Sequence, residues 1–101
     1  MERACIKIDK EFEDIFPQFI ETLHMDILNL KSAILLKNKR SLHDISHRAK
    51  GYCSSYGFHV LQLHFSNLLM YSKSENFIRA RKSVEEIDNY VRKISIEYIP
   101  F

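Results

Sequence analysis

Of the five histidines in this chain, His47 has the neighbours that could make an imidazole a working nucleophile. His43 precedes it by four residues, Lys50 follows at i+3 and Gly51 at i+4. On a helix those spacings place all four residues one turn apart on a shared face. An exposed imidazole has an unperturbed pKa of about 6.5 and is mostly neutral near neutral pH, so a ring nitrogen is available without a buried base. Lys50 supplies a flexible ammonium that could reach an anionic oxygen held beside the ring, such as that of a phosphoryl group. That contact is worth about 1.5 to 3 kcal/mol when well formed and less in solvent.

A helical wheel at about 100° per residue, with His47 at zero, places Ile45, Ala49, Tyr52 and Tyr56 within roughly 40° of the opposite pole. These four are expected to face the core. His43, Asp44, Lys50, Gly51 and Ser54 fall within roughly 60° of His47 and form a polar strip, so His47 is expected to project outward. Both glycines of the chain, Gly51 and Gly57, lie within ten residues of His47. Gly57 suits a helix terminus. Gly51 sits within the helix, where glycine costs about 1 kcal/mol relative to alanine. The reading is that the missing side chain leaves room for a phosphoryl group and for a second protein's active site.

Glycine and proline number two each, too few for a fold rich in hairpins and tight turns, which points to an all-α protein. A brief first helix is predicted from Asp9, as N-cap, to Phe16. A second helix then starts around Pro17 and ends near Leu36 or Lys37, with Phe16, Phe19 or Ile20, Leu23, Ile27, Leu30 and Ile34 on one apolar face. Asn38 is predicted to cap the histidine helix, which Gly57 ends. A fourth helix is predicted from His59 to Tyr71, and Ser72-Lys73-Ser74-Glu75 reads as a capping box for the last. In that last helix Phe77, Ala80, Val84, Ile87, Val91, Ile94 and Tyr98 keep a near-heptad spacing. Short connections favour antiparallel neighbours. The expected architecture is therefore an antiparallel four-helix bundle with a short additional N-terminal helix, one domain over residues 1–101.

The sequence His47-Arg48-Ala49-Lys50-Gly51, with Ser54 and then Tyr56-Gly57, resembles the HxxKG core and downstream glycine of histidine phosphotransfer (HPt) domains. Phe16-Pro17, Phe19-Ile20, Thr22-Leu23, Asp26-Ile27-Leu28 and Asn38 to Leu42 are similar to that family's preceding helix and its connection. The likeness runs from Ile15 to the end of the chain. It departs from the family pattern at Ala49, where leucine is frequent, at Tyr52, where small residues are found, and at Phe58, where alanine follows the glycine. These differences bear on packing and partner choice and leave His47, Lys50 and Gly51 in place.

The resemblance implies a phosphorelay carrier in a two-component system. His47 would accept a phosphoryl group on Nε2 from a receiver-domain aspartate and pass it to another, with Lys50 and Gly51 supporting the phosphate. Response-regulator receiver domains and a hybrid sensor kinase would be the partners. The receiver would supply magnesium, and the chain would need no cofactor or metal of its own. Docking would use His43, Asp44, Arg48, Ser54 and Phe58 with the exposed edge of the preceding helix, although Phe58, just after Gly57, could equally fold into the core. No glycine-rich ATP loop is present, so a carrier without kinase activity of its own is expected.

Composition bounds the alternatives. Fifteen basic and 13 acidic side chains give a net charge of +2. The basic clusters at Lys37, Lys39 and Arg40 and at Arg79, Arg81 and Lys82 read as solvated helix faces, so nucleic acid is not an expected partner. No apolar run approaches the length of a membrane span or signal peptide, and a cytoplasmic monomer is expected. Cys5 and Cys53 suit reduced packing thiols. Two other readings stay open. One is a metal site using His43 and His47 with Asp44, which is short of the four ligands a structural zinc site wants. The other is a helical adaptor or inhibitor that occupies a kinase or receiver without transferring phosphate.

Overall fold

The computed structural model describes the backbone of residues 16–98 and side chains as far as residue 94. The described residues form four helices and no strand: α1 (Phe16–Leu35), α2 (Lys39–Ser55), α3 (His59–Lys73) and α4 (Phe77–Tyr98). The short helix expected from Asp9 lies outside the described residues, as does Cys5.

The helices follow the apolar spacing. In α1, Phe16, Phe19, Leu23, Ile27, Leu30 and Ala33 are buried, and in α4, Ala80, Val84, Ile87, Val91 and Ile94. These stripes meet Leu42, Ala49 and Cys53 of α2 and Leu61, Phe65 and Leu68 of α3 in one hydrophobic core. Burying a Leu, Ile or Phe side chain contributes roughly 1.5 to 3 kcal/mol, which offsets the ordering of a chain with no disulfide among its described residues. Contacts run from α1 to α2, α2 to α3 and α3 to α4, and α1 also packs on α4. Lys31 of α1 reaches across to Asp88 of α4 at 2.9 Å, and Arg92 adds a second cation to that carboxylate.

The connections at 36–38, 56–58 and 74–76 share one design. In each, the first residue after the helical turn takes the left-handed conformation: Lys37 at φ 53°, Gly57 at φ 79° and Glu75 at φ 54°. In each, the following residue donates its N–H back five positions, from Asn38 to Ala33, Phe58 to Cys53 and Asn76 to Tyr71, at 2.8 to 2.9 Å. These paired backbonds are Schellman motifs, which satisfy carbonyls that the helix end leaves over. Asn38 and Asn76 then cap the next helix, accepting from the N–H groups of Ser41 and Arg79.

That arrangement corrects the expected capping box. Ser72 and Ser74 belong to the end of α3, their hydroxyls donating to carbonyls of Leu69 and Met70. Asn76 is the cap of α4, because the left-handed Glu75 has already turned the chain and leaves Asn76 as the first residue able to reach the new helix.

Candidate functional site

His47 lies at the middle of α2 and is exposed. The buried residues of this helix are Leu42, Ser46, Ala49 and Cys53, whose mean direction on a wheel is roughly 130° from His47. The core face is thus rotated by roughly 50° from the expected pole. Ala49 is enclosed, but Ile45, Tyr52 and Tyr56 flank the core half-buried instead of facing it squarely. The rotation explains the two sides of the polar strip: His43 and Lys50, turned toward the core edge, are half-buried, whereas Asp44 and Gly51, on the other side, are exposed. Ser54, close to the His47 direction, is also exposed.

At Gly51 an added Cβ would find no atom within 4 Å beyond the backbone of its own helix turn and its chain neighbours. Around His47 the surface is therefore open on the Gly51 side and bounded by longer side chains on the other. The His43 ring stacks near that of His47, with centroids 6.1 Å apart and planes at 17°. His43 Nδ1 faces Asp44 Oδ1 at 3.4 Å. Among the described residues, no group of three or more His, Cys, Asp or Glu gathers as a metal site.

Arg48 has a second engagement. Its side chain is largely exposed, but its Nη2 donates to Asp26 Oδ1 of α1 at 2.8 Å, and the Tyr52 hydroxyl donates to Asp26 Oδ2 at 2.7 Å. Asp26 is 4% exposed, so these two donors supply the hydrogen bonds its buried carboxylate needs. Burial, with the hydrogen bond to Asp26, pushes the Tyr52 phenol well above its ordinary pKa, and it stays a donor. This network ties α1 to α2 one residue beyond His47. Sequence spacing did not reveal it, since Asp26 and Arg48 lie 22 positions apart. The available signal was an acid inside the apolar stripe of α1, between Leu23 and Ile27, which calls for a partner from another helix.

Phe58 takes the core position. It is half-buried and stacks on Phe19 at 4.7 Å and 13°. Tyr52 and Tyr56 meet the same Phe19 ring edge-on at 5.7 and 5.3 Å. This aromatic cluster fastens the start of α1 to the end of α2, holding the helix that carries His47 at both its middle and its end.

No helix among the described residues is long and apolar enough to cross a membrane. No family model, curated protein or solved structure matches the chain. The functional reading therefore stands on the residues of the site.

Proposed function

We propose that the chain is a phosphorelay carrier of the HPt kind, in which His47 accepts a phosphoryl group from the aspartyl phosphate of one receiver domain and yields it to the aspartate of another. The observation that carries this reading is an exposed mid-helix histidine with a lysine at i+3 and, at i+4, a glycine that no contact inside the molecule requires.

In the forward step Nε2 of the neutral ring attacks phosphorus. The N–P bond forms as the P–O bond to the aspartate breaks, and the carboxylate leaves with the electron pair. Nδ1 keeps its proton. Transfer to the second receiver is the same exchange in reverse. Such chemistry depends mainly on positioning and charge stabilisation. Lys50 would neutralise part of the phosphoryl charge, and magnesium would come from the receiver. The chain would have neither kinase activity nor a cofactor of its own.

The reading includes finer features: an antiparallel bundle, favoured by the three-residue connections, a short helix ahead of α1, a monomeric state and a cytoplasmic location. Receiver domains would dock over His47, with His43, Asp44, Ser54, the exposed length of Arg48, the edge of Phe58 and the exposed face of α1 around the contact. A hybrid sensor kinase would be the upstream source.

The test is incubation with a receiver domain charged with labelled acetyl phosphate. An acid-labile, base-stable label should appear on the chain and be lost in His47→Gln. No label, or label that persists in His47→Gln, contradicts the proposal. A receiver inhibited by the chain without label would favour the adaptor reading.

A further inference from the structure

The carrier chemistry of His47 and Lys50 gives His43 a place on the docking surface but none in holding the phosphate, although its surroundings suit that too. Its ring lies nearly parallel to that of His47, with centroids 6.1 Å apart. Its Nδ1 is turned to Asp44, whose other oxygen lies 3.9 Å from Arg40 Nε. With Nδ1 occupied by a carboxylate, Nε2 is the nitrogen left for another ligand. A neutral ring with its proton on Nδ1 offers only a lone pair at Nε2, whereas an imidazolium offers an N–H there.

A phosphoryl group on His47 would bring about −1.5 to −2 charge to within a turn of this ring and so favour the imidazolium. His43 and Lys50 both lie on the same side of His47, at roughly 40° and 60° on the wheel. Gly51 lies on the other side. Two cations would thus stand along one flank of the phosphoryl group, while the opposite flank carries Asp44 and, at Gly51, no side chain.

We propose that His43 is a second phosphate-supporting residue: protonated, it donates from Nε2 to an oxygen of the phosphoryl group on His47, while Asp44 accepts from its Nδ1. The inference rests on the carrier reading of His47. His43 makes and breaks no bond to phosphorus, and the proton it gains comes from solvent. Phosphorylation of His47 and proton uptake by His43 are then linked, each favouring the other to the same degree.

The charges around His43 allow this. On α2 they are Lys39 and Arg40, one turn before His43 and opposing its protonation, Asp44, which favours it, and His47 and Lys50 beyond. From α1, Asp26 is engaged by Arg48 and Tyr52 and Lys31 by Asp88, Glu21 forms no ion pair with His43 among the described residues, and His24 is the other titratable group of that helix. The charged or titratable residues of α3 are His59, His64 and Lys73, with no carboxylate among them to compete with Asp44 for His43.

The test follows the ring nitrogens of His43 by NMR across pH in the full chain, before and after phosphorylation with potassium phosphoramidate. The titration midpoint of His43 should rise by about one pH unit, a tenfold gain in proton affinity. His43→Gln should lower the phosphorylated fraction at equilibrium with a charged receiver by about three- to tenfold, and His43→Arg, which keeps a cation at this turn, should restore it. Label on His47 with an unmoved His43 midpoint, or an undiminished fraction in His43→Gln, overturns this inference alone. Absence of label on His47, or label on His43 instead, removes the carrier reading and this inference with it.

Discussion

Gly51 and Gly57 are the only glycines of the chain, and the fold asks different things of them. Gly57 adopts φ 79°, where a side chain is strained; Gly51 has ordinary helical backbone and open space where a Cβ would go. Gly51→Ala should therefore stabilise the protein by about 0.5 to 1 kcal/mol, measurable as a higher urea midpoint. If the bare position admits a partner, the same change should slow phosphoryl transfer from a receiver by about tenfold, corresponding to ~1.4 kcal/mol of lost transition-state stabilisation. A variant both more stable and slower separates a functional glycine from a packing one. The exposure of His47 was legible in the sequence because the period of one helix decides it. The holding of Arg48 by Asp26 was not, because a wheel orients a side chain without naming the neighbouring helix it meets.

The helix connections were legible in part. Asn38 and Gly57 were readable as cap and terminator from residue type alone. Lys37 and Glu75 take the same left-handed role without glycine's freedom, and nothing in their residue type signals it, so residue type points to a cap at Ser72 where the chain uses Asn76. The left-handed conformation costs a residue with a Cβ roughly 1 to 2 kcal/mol. Glu75→Gly should thus raise stability by about 1 kcal/mol, and Gly57→Ala should lower it by about the same. Chemical denaturation of both variants checks this. Equal and small effects at the two sites would show that the turns relax.

Across the whole molecule, the ionisable groups within the helix packing set a pH window for stability. Burial, with a further contribution from Asp26, pushes the Cys53 thiol from 9.0 up to about 12. Burial and its bond to Asp26 likewise raise the Tyr52 phenol above its ordinary 10.0. Both groups hold their protons more tightly folded than unfolded, so the stability Cys53 contributes is complete below pH 9 and declines as pH rises through 9 toward 12, and that of Tyr52 declines only above 10. Asp88 acts at the other end. Burial opposes its ionisation, but the hydrogen bond and charge of Lys31, with those of Arg92, outweigh it and hold the carboxyl below its usual 3.8. Its contribution is lost as pH falls through that lowered value. Urea midpoints should be flat near neutrality and fall above pH 9, and Cys53→Ala, although less stable throughout, should lose the earliest part of that alkaline decline.

The four-helix core and the outward histidine follow from periodicity and from a few cap residues. The proposed carrier role would depend on partners that meet the molecule only at its surface. One measurement tests that role most directly. The chain is labelled from one charged receiver domain, purified away from it, and mixed with a second, uncharged receiver in magnesium. The account predicts that label leaves His47 and appears on the second receiver's aspartate, and that His47→Gln blocks the passage. Label that stays on the chain, or that never reaches His47, contradicts it.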